Sequence, residues 1–99
     1  MVLTYRLKAR ARREITKAAE WWAENRPAAP GAIREDTEAA LKVLVRQPDL
    51  GTGVDSVRSG PVRRFLLLRT QYFIYYRVRG QALEVIAFWH ASREAGPSL

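Results

Sequence analysis

Arginine is the dominant charged residue between Asp55 and Leu99. That stretch carries seven arginines and no lysine, and its only acids are Asp55, Glu84 and Glu94. The planar guanidinium group binds a phosphate or a carboxylate through two parallel hydrogen bonds, so an arginine-rich stretch indicates a site for a polyanion. A solvated basic surface that keeps the chain in solution is the alternative interpretation. The seven arginines are Arg58, Arg63, Arg64, Arg69, Arg77, Arg79 and Arg93.

His90 is the only histidine, and it lies three residues before Arg93. An imidazole changes charge near neutral pH and can serve as a general acid or base. The neighbouring sequence offers no partner resembling a triad, so a hydrogen-bonded structural histidine beside Trp89 is the alternative. No Gly-rich phosphate loop or Ser/His/Asp set occurs. With one histidine and no cysteine, the sequence predicts neither a metal site nor a cofactor.

The chain of 99 residues carries a formal charge of +7 and has a sequence pI near 10.6. This charge favours a polyanionic partner: nucleic acid, an acidic protein segment or an anionic membrane. Hydrophobic residues make up 47% of the chain, which is enough for a packed core, and the length fits one domain over residues 1–99. No long apolar run and no signal-peptide pattern occurs, so we expect a cytoplasmic protein without a membrane segment.

Apolar residues recur along the chain with two spacings, one typical of strands and one typical of helices. These spacings predict the elements that position the arginines and His90. Val2–Leu7 alternates apolar and polar residues, which predicts a short strand. From Ala9 the apolar residues recur at helical spacing, and the two prolines within Asn25–Gly31 end that helix. A second stripe with the same offsets follows, so two helices are predicted to pack as an antiparallel pair. The stripes are Ala11, Ile15, Ala18, Ala19 and Trp22, then Ile33, Thr37, Ala40, Leu41 and Leu44.

Glycine and proline separate the helices from the rest of the chain. Their density in Gln47–Pro61 predicts a connecting loop, and three strands are predicted after it. Gly80-Gln81 predicts a two-residue turn between the last two strands. The order of elements predicts an α+β fold: a small antiparallel β-sheet with an N-terminal helical hairpin packed on one face, β-α-α-β-β-β.

The Gly80-Gln81 turn sets the register of the last two strands, in which Arg77 faces Glu84 and Tyr75 faces Ile86. One face of this hairpin is then apolar and suits the helices, while the other combines aromatic rings with arginine. Such a face suits stacked bases or the apolar and acidic groups of a partner. A cross-strand ion pair is the alternative role for Arg77. The apolar face holds Ile74, Tyr76, Val78, Leu83, Val85, Ala87 and Trp89, and the second face holds Phe73, Tyr75, Arg77, Glu84, Ile86, Phe88 and His90.

Trp21 and Trp22 are adjacent on the first helix. Neighbouring helical residues point in different directions, so both cannot face the partner helix, and one is expected to contribute to an exposed patch. The predicted partner-binding residues are Trp21, Trp22, Phe73, Tyr75, Arg77, Phe88 and His90.

Five motifs, in this order and spacing, resemble the RelE/ParE superfamily of toxins from bacterial type II toxin–antitoxin systems of the plasmid stabilisation type. The resemblance covers nearly the whole chain. It implies a small antiparallel sheet flanked by a helical hairpin. It also implies a partner, a cognate antitoxin encoded beside the toxin, whose often acidic and partly disordered segment wraps the toxin in a hetero-oligomer. The motifs are Glu20–Pro27, Gln47–Gly51, Arg63-Arg64, Tyr75–Val78 and Trp89–Arg93.

The resemblance implies one of two activities. RelE-like members are similar to ribosome-dependent messenger RNA endonucleases, and ParE-like members poison DNA gyrase. Phe73 stands where many of the nucleases carry a basic residue, and no tyrosine follows Arg93. The chain is therefore closer to ParE-like members, and inhibition of growth by binding DNA gyrase is expected. A degenerate toxin that acts only as antitoxin partner and co-repressor is a further alternative. The candidate catalytic residues of the nuclease interpretation are Arg58, Arg63, Arg64, Arg77, His90 and Arg93.

Overall fold

The helices and strands begin and end where the hydrophobic period changes along the chain. The computed structural model describes residues 2–56 and 58–99. It confirms the predicted α+β fold, in which a strand and a helical hairpin precede the main strands. The elements are β1 (Thr4–Leu7), α1 (Ala9–Asn25), α2 (Ala32–Leu44), a 3₁₀ turn (Pro48–Leu50), β2 (Thr52–Val54), β3 (Val62–Leu67), β4 (Tyr72–Arg79) and β5 (Ala82–His90).

The helices bury the apolar stripes that the sequence predicts. Ala11, Ile15 and Ala18 of α1 are buried, and so are the stripe residues of α2. The backbone N–H of Arg26 donates to the carbonyl of Trp22 at 2.7 Å, which closes the last turn of α1 just before Pro27 prevents its continuation. None of the helices within the described ranges combines the length and apolar character that crossing a membrane requires.

The sheet has five strands in the order β1-β5-β4-β3-β2, and two of its features differ from the expected antiparallel sheet. β1 pairs with β5 in parallel, so the sheet is mixed. β2 lies inside the predicted loop and pairs with Val62–Arg64 of β3. Alternation of residues identifies a strand but not its partner or direction. β2 has only three residues, and the central one is glycine, so it is too short to show an alternation of apolar and polar side chains.

A β-bulge corrects the predicted register of the last hairpin. Arg77 pairs with Glu84 as predicted, but the register shifts between Tyr75 and Tyr76, so Tyr75 pairs with Ala87 rather than Ile86. A shift of one residue moves every following side chain to the other face of the sheet. The two faces therefore exchange members beyond the bulge: Phe88 and His90 lie on the helix side, while Ala87 and Trp89 lie on the opposite side.

The face of the sheet away from the helices has a small core of its own. Trp89 Nε1 donates to the carbonyl of Ala95 at 2.8 Å, and Leu99 packs against the cluster on this face. Residues 95–99 therefore cover part of a face that the sequence predicts as a docking surface. The buried members of this cluster are Val62, Tyr75, Ile86 and Ala87.

Candidate functional site

A cleft of about 560 Å³ lies between α1 and the ends of β4 and β5. The bulge in β5 builds one wall of it, because the bulge turns Phe88 and His90 toward the helices. Trp21 and Lys17 are one helical turn apart and line the cleft from the α1 side. The lining residues are Glu14, Lys17, Ala18, Trp21, Tyr72, Phe88, Trp89, His90 and Arg93.

Aromatic rings form the wall of the cleft on the sheet side. The rings of Tyr72 and Phe88 stack with centroids 4.7 Å apart and planes 9° apart. His90 meets Tyr72 edge-on at 4.9 Å. Burial raises the pKa of the Tyr72 hydroxyl, while the positive charge of Arg93 acts in the opposite direction. The wall on the sheet side is thus formed by aromatic rings.

The two tryptophans of α1 point in different directions, as their helical spacing predicts. Trp21 is 48% exposed and lines the cleft. Trp22 packs against the main core, and its Nε1 is buried without an acceptor among the described residues. The guanidinium of Arg26 lies over both rings, at 5.3 Å and 5.7 Å from their centroids. Of the pair, Trp21 is the one that presents an aromatic surface to a partner.

The charges around the cleft leave it positive. Glu14 is already engaged: it accepts the Phe88 backbone N–H at 2.9 Å and the Arg10 Nε at 3.3 Å. Lys17 and Arg93 are the cations of the lining, and the Arg93 guanidinium lies 4.0 Å above the ring of Trp89. An acidic group entering the cleft therefore meets two cations, Lys17 and Arg93. The one carboxylate of the lining, Glu14, has its charge offset by Arg10.

The edge of β5 beside the cleft is partly unpaired. β1 pairs with Ala82–Val85 only, so Phe88–His90 has no strand partner on that side within the described parts of the chain. Glu14 takes the Phe88 N–H, and the Arg93 N–H donates to the His90 carbonyl at 3.2 Å, so part of this short edge is already hydrogen-bonded. A partly unpaired strand edge next to an aromatic and positive cleft can accept an extended peptide beside the sheet.

His90 is held by its neighbour Ser92. Its Nδ1 accepts the backbone N–H of Ser92 at 3.1 Å and lies 2.7 Å from the Ser92 hydroxyl. Because a backbone N–H only donates, Nδ1 is an acceptor, and the proton of the neutral ring is assigned to Nε2. The histidine is thus hydrogen-bonded to its neighbour, and its Nε2–H is left to offer to a ligand.

The arginines of the nuclease interpretation do not converge on His90 and Arg93. Arg63 and Arg77 line a separate hollow of about 570 Å³ beside the segment 48–61. Arg63 donates to the carbonyl of Gly51 at 2.7 Å. Arg77 donates to Glu84 at 2.9 Å and to the carbonyl of Ser59 at 3.0 Å, so both arginines tie this segment to the sheet.

The remaining predicted residues lie elsewhere. Arg58 is exposed in the segment before β3, and exposed Arg64 lies over the ring of Phe73 at 4.2 Å on the sheet face away from the helices. Tyr75 is on that same face but buried. The predicted single docking face is therefore corrected: Phe73, Tyr75 and Arg77 lie on one side of the sheet, while Phe88 and His90 lie on the other. The cause is the bulge.

Lys17 and Tyr72 are among the cleft residues that the sequence prediction did not name as binding residues. Lys17 precedes Trp21 by four residues, and that spacing is the signal that places both on one helix face. Tyr72 joins the cleft because it pairs with His90 in the shifted register, for which the sequence gives no local signal.

Known proteins relate to this chain in sequence and in fold. The model of the family described as ParE toxin of type II toxin–antitoxin system, parDE, matches residues 5–95. Among solved structures, a chain of the chromosomal ParDE TA system from P. aeruginosa superposes with a TM-score of 0.74 at 17% sequence identity. The match covers 92% of this chain and 98% of that chain, and at this identity it shows a shared fold. Curated proteins give no match.

Proposed function

The chain belongs to the family of ParE toxins of type II toxin–antitoxin systems, and from this we propose that it inhibits growth by binding DNA gyrase until a cognate antitoxin neutralises it. ParE-like members of the superfamily poison gyrase, and this likeness supports the target. The antitoxin is a protein with an acidic segment, and the two form a hetero-oligomer.

The observation that supports antitoxin binding most strongly is the composition of the cleft. Lys17 and Arg93 suit the carboxylates of an acidic segment, and Trp21 and Phe88 suit an apolar side chain of the same segment. The partly unpaired edge of β5 at Phe88–His90 suits the backbone of that segment. The overall charge of +7 would speed the encounter with an acidic partner.

A disordered segment needs apolar contacts as well as charge to bind tightly. Ordering it costs conformational entropy, about 2–5 kcal/mol for a typical coupled folding and binding event. Exposed charge pairs contribute about 0–1 kcal/mol each, so they cannot offset this cost alone. Trp21, with nearly half of its surface exposed, is the side chain that supplies the missing apolar contact.

The positions of the nuclease candidates support the non-enzymatic interpretation. Phosphodiester cleavage by general acid–base catalysis needs its groups within hydrogen-bond reach of one phosphate. Arg63 and Arg77 instead donate to the carbonyls of Gly51 and Ser59, and His90 has its Nδ1 occupied by Ser92. This distribution favours a toxin that acts by binding.

A supercoiling reaction with purified DNA gyrase tests the proposed target. The chain is added at increasing concentration to gyrase, relaxed plasmid and ATP, and supercoiled product is measured. We expect supercoiling to fall with concentration, and the antitoxin mixed in beforehand should restore it. Unchanged supercoiling at saturating chain would contradict the gyrase target. A parallel reaction with ribosomes and messenger RNA tests the alternative, a ribosome-dependent endonuclease. If the chain cleaves the messenger RNA and His90→Ala abolishes that cleavage, the chain is a nuclease instead.

A further inference from the structure

A second surface, on the α2 side of the molecule, differs in chemistry from the cleft. An open groove of about 390 Å³ lies between α2 and β3. Leu68 is 78% exposed there and Val43 is 43% exposed, so the groove presents large apolar side chains to solvent. The other residues of its wall are Asp36, Ala39, Ala40, Phe65, Leu66, Leu67 and Arg69.

The groove runs beside a free strand edge. β2 pairs with Val62–Arg64 only, so Phe65–Leu67 has no strand partner on its outer side among residues 2–56 and 58–99. Edge strands are usually protected by a charged residue, a proline or a cover. The run Phe65–Leu68 contains neither a charge nor a proline. This edge is therefore open to pairing with another strand.

The groove carries no excess of positive charge. Arg69 Nη2 donates to Asp36 at 2.6 Å and to Glu35 at 3.1 Å. Asp36 and Arg69 are the only charged residues of the described lining, and Glu35 also contacts the Arg69 guanidinium, so these three side chains sum to one negative charge. In a chain of net charge +7 this patch has no net positive charge, whereas the cleft retains Lys17 and Arg93.

We propose that the groove and the outer edge of β3 bind a second copy of this chain. Two β3 edges can pair antiparallel about a two-fold axis, because such an axis brings the same surface of each copy together. The two sheets then become continuous, and Leu68 and Val43 of both copies leave solvent. A patch without net positive charge suits this contact, since two chains of charge +7 meet less repulsion through it than through the positive cleft. The inference does not depend on the gyrase target or on the antitoxin.

Salt distinguishes this contact from binding of an acidic partner. Screening weakens the mutual repulsion of two basic chains, so added salt should strengthen self-association. The same screening weakens attraction between the positive cleft and an acidic segment. The two surfaces are thus expected to respond to salt in opposite directions.

Sedimentation equilibrium over a range of concentration and salt tests the proposal. We expect the unmodified chain to form a dimer whose dissociation constant falls as salt rises. Leu68→Lys should raise that constant at least about tenfold, because each copy loses an apolar contact and two like charges meet. Leu50→Lys, at a residue 49% exposed outside the groove, is the matched control and should leave it unchanged. Circular dichroism checks that both variants fold.

Three results would overturn the proposal. The first is a chain that stays monomeric at every concentration and salt. The second is a Leu68→Lys variant that dimerises as well as Leu50→Lys does. The third is a Leu68→Lys variant that loses binding of the antitoxin while its sedimentation stays unchanged, which would assign the groove to the antitoxin.

Discussion

Tyr72 and Phe88 stack face to face on the helix side of the sheet, with ring centroids 4.7 Å apart. This contact exists because a bulge at Ile86 of β5, opposite Tyr75 and Tyr76, shifts the register by one residue. In the regular register Phe88 would lie on the opposite face, away from Trp21. The bulge therefore assembles the cleft as well as completing the main core.

Phe88→Ala should destabilise the chain by about 3–5 kcal/mol, the usual cost of truncating a buried phenylalanine. Phe88 is 2% exposed and belongs to the main cluster. Phe73→Ala removes the same ring from the other face, where Phe73 is only partly buried, and should cost less. Urea unfolding of both variants gives the comparison. A smaller loss for Phe88→Ala than for Phe73→Ala would mean that the bulge is absent.

Local pattern predicts the elements of this fold well because burial imposes a period on each of them. The stripe that begins at Ala11 and the turn at Gly80-Gln81 are both read from neighbouring residues. Pairing partners are not local: β1 pairs with β5, and Thr4 bonds to the carbonyl of Gln81, just before β5 and 77 positions along the chain. The parallel direction of the β1–β5 pair leaves no signal in a short stretch of sequence. The three residues of β2 leave none either.

The candidate site was predicted only in part, because residue types are read locally while strand pairing is not local. Trp21, Phe88, His90 and Arg93 were identified by residue type, and the structure brings these four together. Their grouping with Tyr75 and Arg77 failed, because a bulge that inserts one residue reverses the faces beyond it. Residue type thus indicated what can bind, while long-range register decided which residues act together.

Gly51→Ala should destabilise the chain strongly, while Gly53→Ala should not. A Cβ on Gly51 would lie 2.5 Å from the Tyr76 hydroxyl and 2.9 Å from the Arg64 carbonyl, and both are fixed. The Tyr76 hydroxyl accepts from the Gly51 N–H and donates to the Pro48 carbonyl, so it cannot move without losing hydrogen bonds. A Cβ on Gly53 meets no atom within 4 Å.

Thermal unfolding of the two glycine variants measures this difference. We expect a clear loss for Gly51→Ala, of about 1–3 kcal/mol from overpacking. Equal melting temperatures for the two variants would show that the segment before β2 is not held against Tyr76 as the structure has it.

Glu84 should make stability depend on pH in the acid range. It is buried on β5 and accepts from Arg77 at 2.9 Å and from Arg6 at 3.0 Å. The hydrogen bond from Arg77 lowers the pKa of Glu84 despite its burial, and the charge of Arg6 adds to that effect. The unfolded chain therefore binds a proton that the folded chain does not, and this stabilisation is full above the unfolded pKa of about 4.3. It is lost as the pH falls through the folded pKa.

Unfolding free energies of the unmodified chain and of Glu84→Gln, measured from neutral pH into the acid range, test this coupling. We expect Glu84→Gln to be less stable at neutral pH and to change less with pH below about 4.3. Glu38→Gln, at an exposed position on α2, is the control and should keep the full dependence. A Glu84→Gln variant with undiminished acid dependence would contradict the assigned role.

The affinity of the chain for its proposed antitoxin partner tests the role of the cleft most directly. Titration calorimetry with the antitoxin should show tight binding that weakens as salt rises. Trp21→Ala and Lys17→Glu should each weaken it at least about tenfold, since one removes the exposed aromatic contact and the other reverses a cleft charge. Lys42→Glu makes the same charge change on α2 outside the cleft and should have little effect. Absence of binding, or equal affinity for Lys17→Glu and Lys42→Glu, would contradict a toxin neutralised through this cleft.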